Sequence, residues 1–130
     1  EYRVIIVTNQ SGIVRGYFTE DDYHVLNNWM LEHFKKHGIT IDKVYFCPHH
    51  PDAGCECRKP NIGMLLQAVE EFGISLDGSW TVGDKEEDVI FGRNANTKTI
   101  KIGSRMNPDL KLEPHYYAKD LKEAVDIILG

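Results

Sequence analysis

All three cysteines of this 130-residue chain lie within eleven residues, at Cys47, Cys55 and Cys57. His49 completes the pattern Cys-x-His, five residues, Cys-x-Cys, which offers three thiolates and one imidazole. This ligand set is typical of a closed, tetrahedral structural Zn²⁺ site. Because the number of cysteines is odd, disulfides alone would leave one thiol unpaired. With His49 as a fourth ligand, a tetrahedral metal site would use all three thiols. The sequence therefore predicts a zinc loop at residues 47–57, and the alternative is a set of buried cysteines beside an exposed histidine.

The predicted zinc loop is expected to have a structural role. A closed site has no open coordination position, so the ion should fold the loop rather than react. The one-residue spacing on both sides of the loop favours His49 over His50 as the fourth ligand, with His50 as the alternative. Arg58 and Lys59 follow the loop directly. Two cations beside a rigid loop predict an anion site, and the guanidinium fork of Arg58 suits a phosphate.

Composition and charge limit the classes of partner. With 42% hydrophobic residues, the chain is long and apolar enough for one domain with a core. A net charge of −5 provides no broad basic surface, so we expect no nucleic-acid partner. No apolar run approaches the roughly 18 residues of a membrane span, and no signal peptide is visible. Thiols available for a metal fit a reducing compartment, so we expect a cytoplasmic protein, and we expect a monomer.

Strand and helix patterns alternate along the chain. Residues 2–8 form a near-continuous β-branched run, typical of a strand buried on both faces of a parallel sheet. This run ends in a polar turn at residues 8–12. Further strands are predicted at 43–47, 80–83 and 99–103. We therefore predict an α/β fold, a three-layer, Rossmann-like arrangement with a parallel sheet, over a single domain of residues 1–130.

The first helix has clear signals at both ends. Thr19 with Asp22 predicts a capped start, and Gly38 closes the helix at its carboxyl end. His33 and His37 lie near that end. We expect them to complement the helix dipole or to pack, rather than to act in catalysis.

Three more helices follow. The second is expected to begin at Pro60–Asn61 and to end at Gly73, and the third to begin after Asp84. Asp120 is expected to cap the last helix. For the first, second and last helices, the positions expected to face the core are Tyr23, Leu26, Met30, Phe34, Ile62, Leu65, Leu66, Val69, Phe72, Leu121, Ala124, Val125, Ile128 and Leu129.

Polar residues of complementary kinds follow three of the predicted strands. The carboxyl ends of parallel strands meet at one edge of a sheet, where ligands of open α/β sheets bind. Neutral donors, cations and carboxylates at one edge suit a phosphate together with Mg²⁺, which is commonly held by carboxylates and substrate oxygens. Turn chemistry and helix N-terminal acids are the alternatives. The residues are Thr8 and Asn9, Arg58 and Lys59, and Asp84 and Asp88.

These segments, taken together, resemble a known family. They are Val7-Thr-Asn-Gln-Ser-Gly-Ile-Val-Arg-Gly-Tyr-Phe18, Cys47-Pro-His-His-Pro, Cys55-x-Cys-Arg-Lys-Pro60, Gly63-Met-Leu and Val82-Gly-Asp-Lys-x-x-Asp88. In this order, and over nearly the whole chain, they resemble the haloacid dehalogenase (HAD) superfamily and, within it, the zinc-loop phosphatases. The first segment favours the branch that acts on heptose bisphosphates over the histidinol-phosphate branch, which shares the zinc spacing.

The resemblance implies roles for individual residues. Thr8 matches the hydroxyl that binds the transferring phosphoryl group, with Asn9 beside it. Lys59 matches the lysine that neutralises charge on the nucleophile and the phosphate, and Asp84 matches a Mg²⁺ ligand. The remaining roles are substrate contact for Arg58, support of the site by Lys85 and Asp88, and zinc binding by Cys47, His49, Cys55 and Cys57.

The chain departs from the family pattern in one respect. The first HAD motif, Asp-x-Asp-Gly, supplies the nucleophile and the general acid/base, and no Asp-x-Asp occurs in this sequence. That motif lies on a central strand, so we expect these residues to belong to a longer protein. We predict that the chain alone does not complete the reaction.

The resemblance implies a Mg²⁺-dependent phosphatase acting on a small phosphorylated sugar. The expected reaction is removal of the 7-phosphate of heptose 1,7-bisphosphate through an aspartyl-phosphate. The alternatives are hydrolysis of histidinol phosphate and a non-catalytic, zinc-stabilised, phosphate-binding module.

Overall fold

A computed structural model describes residues 2–130, and the chain divides into two compact units, Glu1–Arg58 and Lys59–Gly130. The first unit contains strand β1 (Ile5–Asn9), helix α1 (Glu20–Lys36) and strand β2 (Lys43–Cys47). The two strands pair in parallel, with Ile5 opposite Lys43 and Asn9 opposite Cys47. The carboxyl ends of β1 and β2 therefore lie side by side.

The second unit is a three-stranded parallel sheet with helices between its strands. The strand order is β3-β4-β5, and both pairings are parallel. The predicted α/β class with parallel strands is confirmed. The elements are α2 (Gly63–Phe72), β3 (Trp80–Gly83), α3 (Glu86–Asn94), β4 (Lys98–Ile102), a 3₁₀ turn (Pro108–Leu110), β5 (Tyr116–Ala118) and α4 (Leu121–Leu129).

The predicted ends of α1 are confirmed. The Thr19 hydroxyl accepts a hydrogen bond from the Asp22 backbone N–H, and the Asp22 carboxylate accepts one from the Thr19 N–H, both at 3.0 Å. This reciprocal capping box satisfies two donors that a helix start leaves free. At the other end Gly38 has a φ of +75°, a left-handed conformation that favours glycine.

The core of the second unit lies on both faces of β4. On one face Ile100, Ala118 and Ala124 are buried together. On the other face α3 packs closely, because a Cβ on Gly92 would lie 2.8 Å from the Thr81 Cβ. Glycine at position 92 is therefore required by the close approach of the helix to the sheet.

Three predicted boundaries or burial patterns are corrected by the structure. The first strand begins at Ile5, and Tyr2 and Val4 before it are exposed. The strand itself is half-buried along its whole length rather than buried on both faces. The second helix begins at Gly63, with Ile62 as its N-cap, so Pro60 and Asn61 lie before it.

The predicted inward faces of the helices were also partly wrong. In α4, Ala124 is buried, whereas Leu121, Val125 and Leu129 are exposed. A nine-residue helix buries one stripe, here Ala124 with Ile127 and Ile128, and its apolar surface is wider than that stripe. Leu26 of α1 and Leu66 of α2 are exposed as well, and Met64 and Ala68 are the buried residues of α2.

Strand β5 and the 3₁₀ turn were not predicted. At three residues each they are too short for a periodic pattern to develop. Among residues 2–130, no helix combines the length and apolar character needed to cross a membrane.

Candidate active site and metal loop

The cysteines and His49 converge in the loop after β2. The Cys47 Sγ lies 3.5 Å from the Cys55 Sγ, and the Cys57 Sγ lies 3.7 Å from the Cys55 Sγ. The His49 Nδ1 lies 3.4 Å from the Cys47 Sγ and 3.2 Å from the Cys57 Sγ. Across the whole set, the four ligand atoms lie within 4.8 Å of one another.

These separations match the edges of a zinc tetrahedron. Zn–S bonds of about 2.3 Å and Zn–N bonds of about 2.0–2.1 Å place two sulfurs about 3.8 Å apart and a sulfur and a nitrogen about 3.6 Å apart. A disulfide needs an S–S distance of about 2.05 Å, so none of the thiols is bridged. The donor set and its spacing therefore fit a metal ion such as Zn²⁺, and the His49 atom that lies beside the thiols is Nδ1.

His50 lies outside the cluster. Its Nδ1 accepts a hydrogen bond from the Asp52 backbone N–H at 3.1 Å and lies 3.7 Å from the Asp52 carboxylate. Cys47, in contrast, is completely buried at the end of β2. The choice of His49 over His50 is consistent with this geometry.

The thiols of the loop differ in acidity. Burial raises the pKa of Cys55, but hydrogen bonds from the Arg58 backbone N–H and from Cys47, Cys57 and His49 outweigh it and lower that pKa to about 7. Burial, reinforced by hydrogen bonding and repulsion from Cys47 and Cys55, raises the pKa of Cys57 to about 12. Three thiolates at these distances repel one another, and a bound cation would remove that cost.

The end of β1 lies beside the start of the metal loop. Asn9 pairs with Cys47, and the Gln10 backbone N–H donates to the Cys47 carbonyl at 2.7 Å. The Gln10 side-chain amide donates to the Thr8 hydroxyl at 3.0 Å. The Thr8–Asn9 turn therefore lies beside the strand that ends in Cys47.

Arg58 carries a buried nitrogen that has no partner. Its Nη1 is inaccessible to solvent and makes no hydrogen bond to any of residues 2–130. An unpaired buried N–H on a guanidinium is costly, so a hydrogen-bond acceptor placed beside this atom would be stabilising. The Arg58 guanidinium, which the sequence predicts as an anion-binding group, thus has one nitrogen without a hydrogen-bond acceptor among residues 2–130.

In the second unit, Lys59 and Asp88 form a buried ion pair. The Lys59 Nζ lies 2.7 Å from the Asp88 Oδ1, and the two side chains are 13% and 10% exposed. The other carboxylate oxygen of Asp88 accepts the Lys85 backbone N–H at 3.1 Å. Asp88 therefore orients Lys59 and closes the turn that carries Asp84 and Lys85.

Asp84, unlike the buried and paired Asp88, has an exposed carboxylate without a partner in residues 2–130. It follows Gly83 at the carboxyl end of β3, is exposed, and makes no hydrogen bond or ion pair with the described part of the chain. A free carboxylate before a helix start is suited to a hard cation such as Mg²⁺. The sequence placed Asp84 and Asp88 together as cation ligands, whereas the structure gives a free carboxylate only to Asp84.

The predicted site residues fall into two sets. Each unit contains one set, and the convergence of the two sets at one edge stays a prediction. The first unit holds Thr8, Asn9, Arg58 and the metal ligands, and the second holds Lys59, Asp84, Lys85 and Asp88.

Two contacting residues were not singled out from the sequence. The Gln10 side chain donates a hydrogen bond to the Thr8 hydroxyl, and the sequence feature that could have indicated this contact is the position of Gln10 in the turn after β1. Glu86 accepts the Asn107 backbone N–H and so ties the β4–β5 connection to the start of α3. Nothing in the sequence pairs positions 86 and 107.

Comparison with known proteins extends these observations. The sequence profile of the HAD-hydrolase-like family matches residues 56–124. A D-glycero-beta-D-manno-heptose-1,7-bisphosphate 7-phosphatase from Pasteurella multocida is 40% identical over 138 residues, covering 99% of this chain and 75% of the relative. A protein of the same name from Helicobacter pylori is 43% identical over 130 residues, covering 98% of this chain and 73% of the relative.

A solved structure has the same fold. The crystal structure of a D,D-heptose 1,7-bisphosphate phosphatase from B. bronchiseptica, complexed with magnesium and phosphate, matches with a TM-score of 0.86 at 27% identity. The match covers 98% of this chain and 74% of the other. From its profile match, its relatives and its fold, this chain belongs to the HAD-hydrolase-like family.

Proposed function

We propose that this chain acts in a Mg²⁺-dependent phosphatase that removes the 7-phosphate of D-glycero-D-manno-heptose 1,7-bisphosphate. The observation that carries the proposal is the free Asp84 carboxylate at the end of β3, next to the turn that the buried Lys59–Asp88 pair holds. Relatives at 40% and 43% identity bear the name of this activity. The whole reaction transfers the phosphoryl group to water and leaves heptose 1-phosphate and inorganic phosphate.

The roles of the chain's own residues follow from their contacts. Asp84 would hold Mg²⁺, which when bound offsets negative charge on the phosphate oxygens. Lys59, fixed by Asp88, supplies a positive charge in a largely buried position. Thr8 and Asn9 offer neutral donors to the phosphoryl oxygens. Arg58, with its unpaired Nη1, would bind the substrate as a bidentate fork.

The proposed reaction also needs a nucleophile, which none of the residues named above supplies. An aspartate pair would supply the nucleophile and the proton-transfer group, and this sequence contains no Asp-x-Asp. We therefore expect the 130-residue chain to bind inorganic phosphate in a Mg²⁺-dependent manner without hydrolysing substrate. Hydrolysis is expected from a polypeptide in which an Asp-x-Asp-Gly strand precedes these residues.

The test measures phosphate release from both anomers of heptose 1,7-bisphosphate and from histidinol phosphate with that longer polypeptide. Replacement of Asp84 by alanine should reduce kcat/KM at least about 10²-fold, because charge stabilisation in the transition state is lost. Asp77→Ala, an exposed acid of the same unit, is the control and should behave like the parent.

Two outcomes would contradict the assignment. A higher kcat/KM for histidinol phosphate would move the chain to the histidinol-phosphate branch. Phosphate binding without any hydrolysis by the longer polypeptide would leave a non-catalytic phosphate-binding module.

We further propose that Cys47, His49, Cys55 and Cys57 bind structural Zn²⁺. The tetrahedral edge lengths and the all-cysteine-and-histidine donor set support this ion. The double variant Cys55→Ser/Cys57→Ser should contain less than one tenth of the zinc of the parent protein by elemental analysis. An unchanged zinc content would refute the assignment.

A further inference from the structure

Helix α1 ends in two histidines that are one turn apart. His33 and His37 are both exposed, and their ring centroids lie 4.7 Å apart at an interplanar angle of 48°. Residues at positions i and i+4 of a helix share one face, so both imidazoles project to the same side. The pair is separate from the metal loop, whose ligands lie at residues 47–57.

The ring of His37 is held in one tautomer. Its Nδ1 lies 2.9 Å from the His33 carbonyl oxygen, which can only accept, so Nδ1 carries the hydrogen. Nε2 then carries the lone pair and is available as a ligand. In metal sites, a histidine typically donates its other ring N–H to a carbonyl or carboxylate in this way, which fixes the ring and raises its basicity.

The ring of His33 is restrained by a different contact. It stacks on Trp29, with centroids 5.3 Å apart and an interplanar angle of 14°. Within residues 2–130, no hydrogen-bond donor or acceptor occupies its ring nitrogens, although its backbone carbonyl is used by His37. Both rings are thus oriented before any ligand arrives, which lowers the entropic cost of binding.

We propose that His33 and His37 form a second metal site, a two-histidine chelate for a transition-metal dication of the Ni²⁺, Cu²⁺ or Zn²⁺ type. Imidazole nitrogens suit these ions, and paired histidines at i and i+4 are a known zinc-binding arrangement on helices. Water completes the coordination, because the two histidines are exposed.

The position on the helix favours a cation. His37 is the C-cap residue of α1, where the unpaired carbonyls give the helix its negative end. Lys35 and Lys36 lie in the same turn and repel a dication, but at the exposed surface this repulsion is screened by salt. A dication held by the two imidazoles would therefore interact favourably with the last turn of α1.

The experiment titrates Ni²⁺ into the zinc-loaded chain and follows tryptophan fluorescence and native mass. Trp29 lies against His33, so a paramagnetic ion bound there should reduce Trp29 emission in a saturable way with one equivalent bound. His33→Gln and His37→Gln should each weaken Ni²⁺ binding at least about tenfold, because a chelate arm is lost. His24→Gln, an exposed histidine of the same helix, is the matched control and should bind as the parent does.

Native mass separates this site from the zinc loop. The expected species retains its zinc and adds one nickel, and Trp29→Phe should keep that mass while losing the fluorescence change. The proposal is overturned if nickel replaces zinc, if the two glutamine variants bind within about twofold of the parent, or if His24→Gln loses affinity equally.

Discussion

Gly83, the last residue of β3, has no room for a side chain. A Cβ at this position would overlap the side chain of Asp88, which lies directly over it. Asp88 in turn binds the Lys59 ammonium and the Lys85 N–H. The absence of a side chain at position 83 is therefore what allows the buried ion pair to form next to Asp84.

Substitution of Gly83 by alanine should displace Asp88 and separate it from Lys59. We expect a loss of about 1–3 kcal/mol in the free energy of unfolding, because the crowded helix must shift. Mg²⁺-dependent phosphate binding should weaken with it. Urea denaturation and isothermal titration measure the two effects. Gly78→Ala is the matched control, since a Cβ there meets nothing within 4 Å, and a loss of similar size in that variant would contradict the explanation.

Tyr23 of α1 carries a buried hydroxyl that is not paired. The residue is 6% exposed, and its hydroxyl has no partner among residues 2–130. Burial also raises the pKa of this phenol. The Tyr23 ring packs on Phe46 with 4.6 Å between the ring centroids, so the ring rather than the hydroxyl makes the contact at this position.

Tyr23→Phe should therefore be at least as stable as the parent, with a gain of up to about 1–2 kcal/mol from removal of the unsatisfied hydroxyl. Tyr117→Phe is the opposite case, because the Tyr117 hydroxyl donates to Glu113 at 2.6 Å and accepts the Met106 N–H at 3.0 Å. That variant should lose stability. Thermal unfolding of the two variants measures these changes in stability. Destabilisation by Tyr23→Phe would mean that the Tyr23 hydroxyl has a hydrogen-bond partner.

At the scale of elements, the connection from β4 to β5 is held by side chains along its length. The buried Lys101 of β4 donates to the Ser104 carbonyl at 2.6 Å, and Glu86 of α3 accepts the Asn107 N–H. Arg93 of α3 donates twice to the Glu113 carbonyl, at 3.1 and 2.8 Å. A segment with little regular structure is thereby ordered next to the turn of Asp84.

His115 joins this connection to β4. The His115 Nδ1 accepts a hydrogen bond from the Thr99 backbone N–H at 3.0 Å, and the His115 backbone N–H donates to the Thr99 hydroxyl at 3.1 Å. Only neutral imidazole can accept at Nδ1. Burial first, then the charges of Arg93 and Lys98, lower the pKa of His115 below its ordinary value of 6.5.

This lowered pKa has a consequence for stability. The unfolded chain binds more protons than the folded chain between the folded pKa of His115 and about 6.5, so acidification through that window should favour unfolding. His115→Asn keeps an acceptor but does not titrate. Its free energy of unfolding should therefore fall less steeply below pH 6.5 than that of the parent. Denaturation series at several pH values measure the slopes, and equal slopes would exclude His115 as the cause.

At the scale of the whole molecule, the two units differ in how much apolar surface they bury. Among residues 2–58, the buried hydrophobic residues are Tyr23, Tyr45 and Cys47, and Cys47 belongs to the Cys/His cluster. A unit with so small a core usually needs a disulfide or a metal. The second unit buries Phe91, Met64, Ile100, Val89 and several smaller residues.

Removal of zinc should therefore destabilise the first unit selectively. Metal binding to the proposed site would supply folding free energy there, and all four residues of the Cys/His cluster lie in the first unit. With a chelator, amide hydrogen exchange should rise in α1 and β2 and change little in β4. Zinc added back is the control and should restore protection. An equal rise in β4 would show that the two units unfold together.

Much of the site was predictable because its residues are close in sequence. Cys47, His49, Cys55 and Cys57 lie in one loop, so their clustering could be inferred from their spacing, whereas zinc binding by this cluster stays a prediction. The Thr19 cap, the glycine stop of α1 and the Asp120 cap follow local rules, and the structure confirms them. The HAD resemblance depended on ordered motifs and is confirmed as well.

The remaining features required partners that are distant in the chain. The pairing of Lys59 with Asp88 depends on the placement of α3. The buried stripe of α4 depends on which surface the sheet offers. The sequence by itself therefore determined the metal loop, the helix caps and the order of strands and helices, because these rest on short-range geometry. Only the tertiary structure decided which apolar stripes are buried and which charges are paired, because those outcomes depend on surfaces assembled from separate elements.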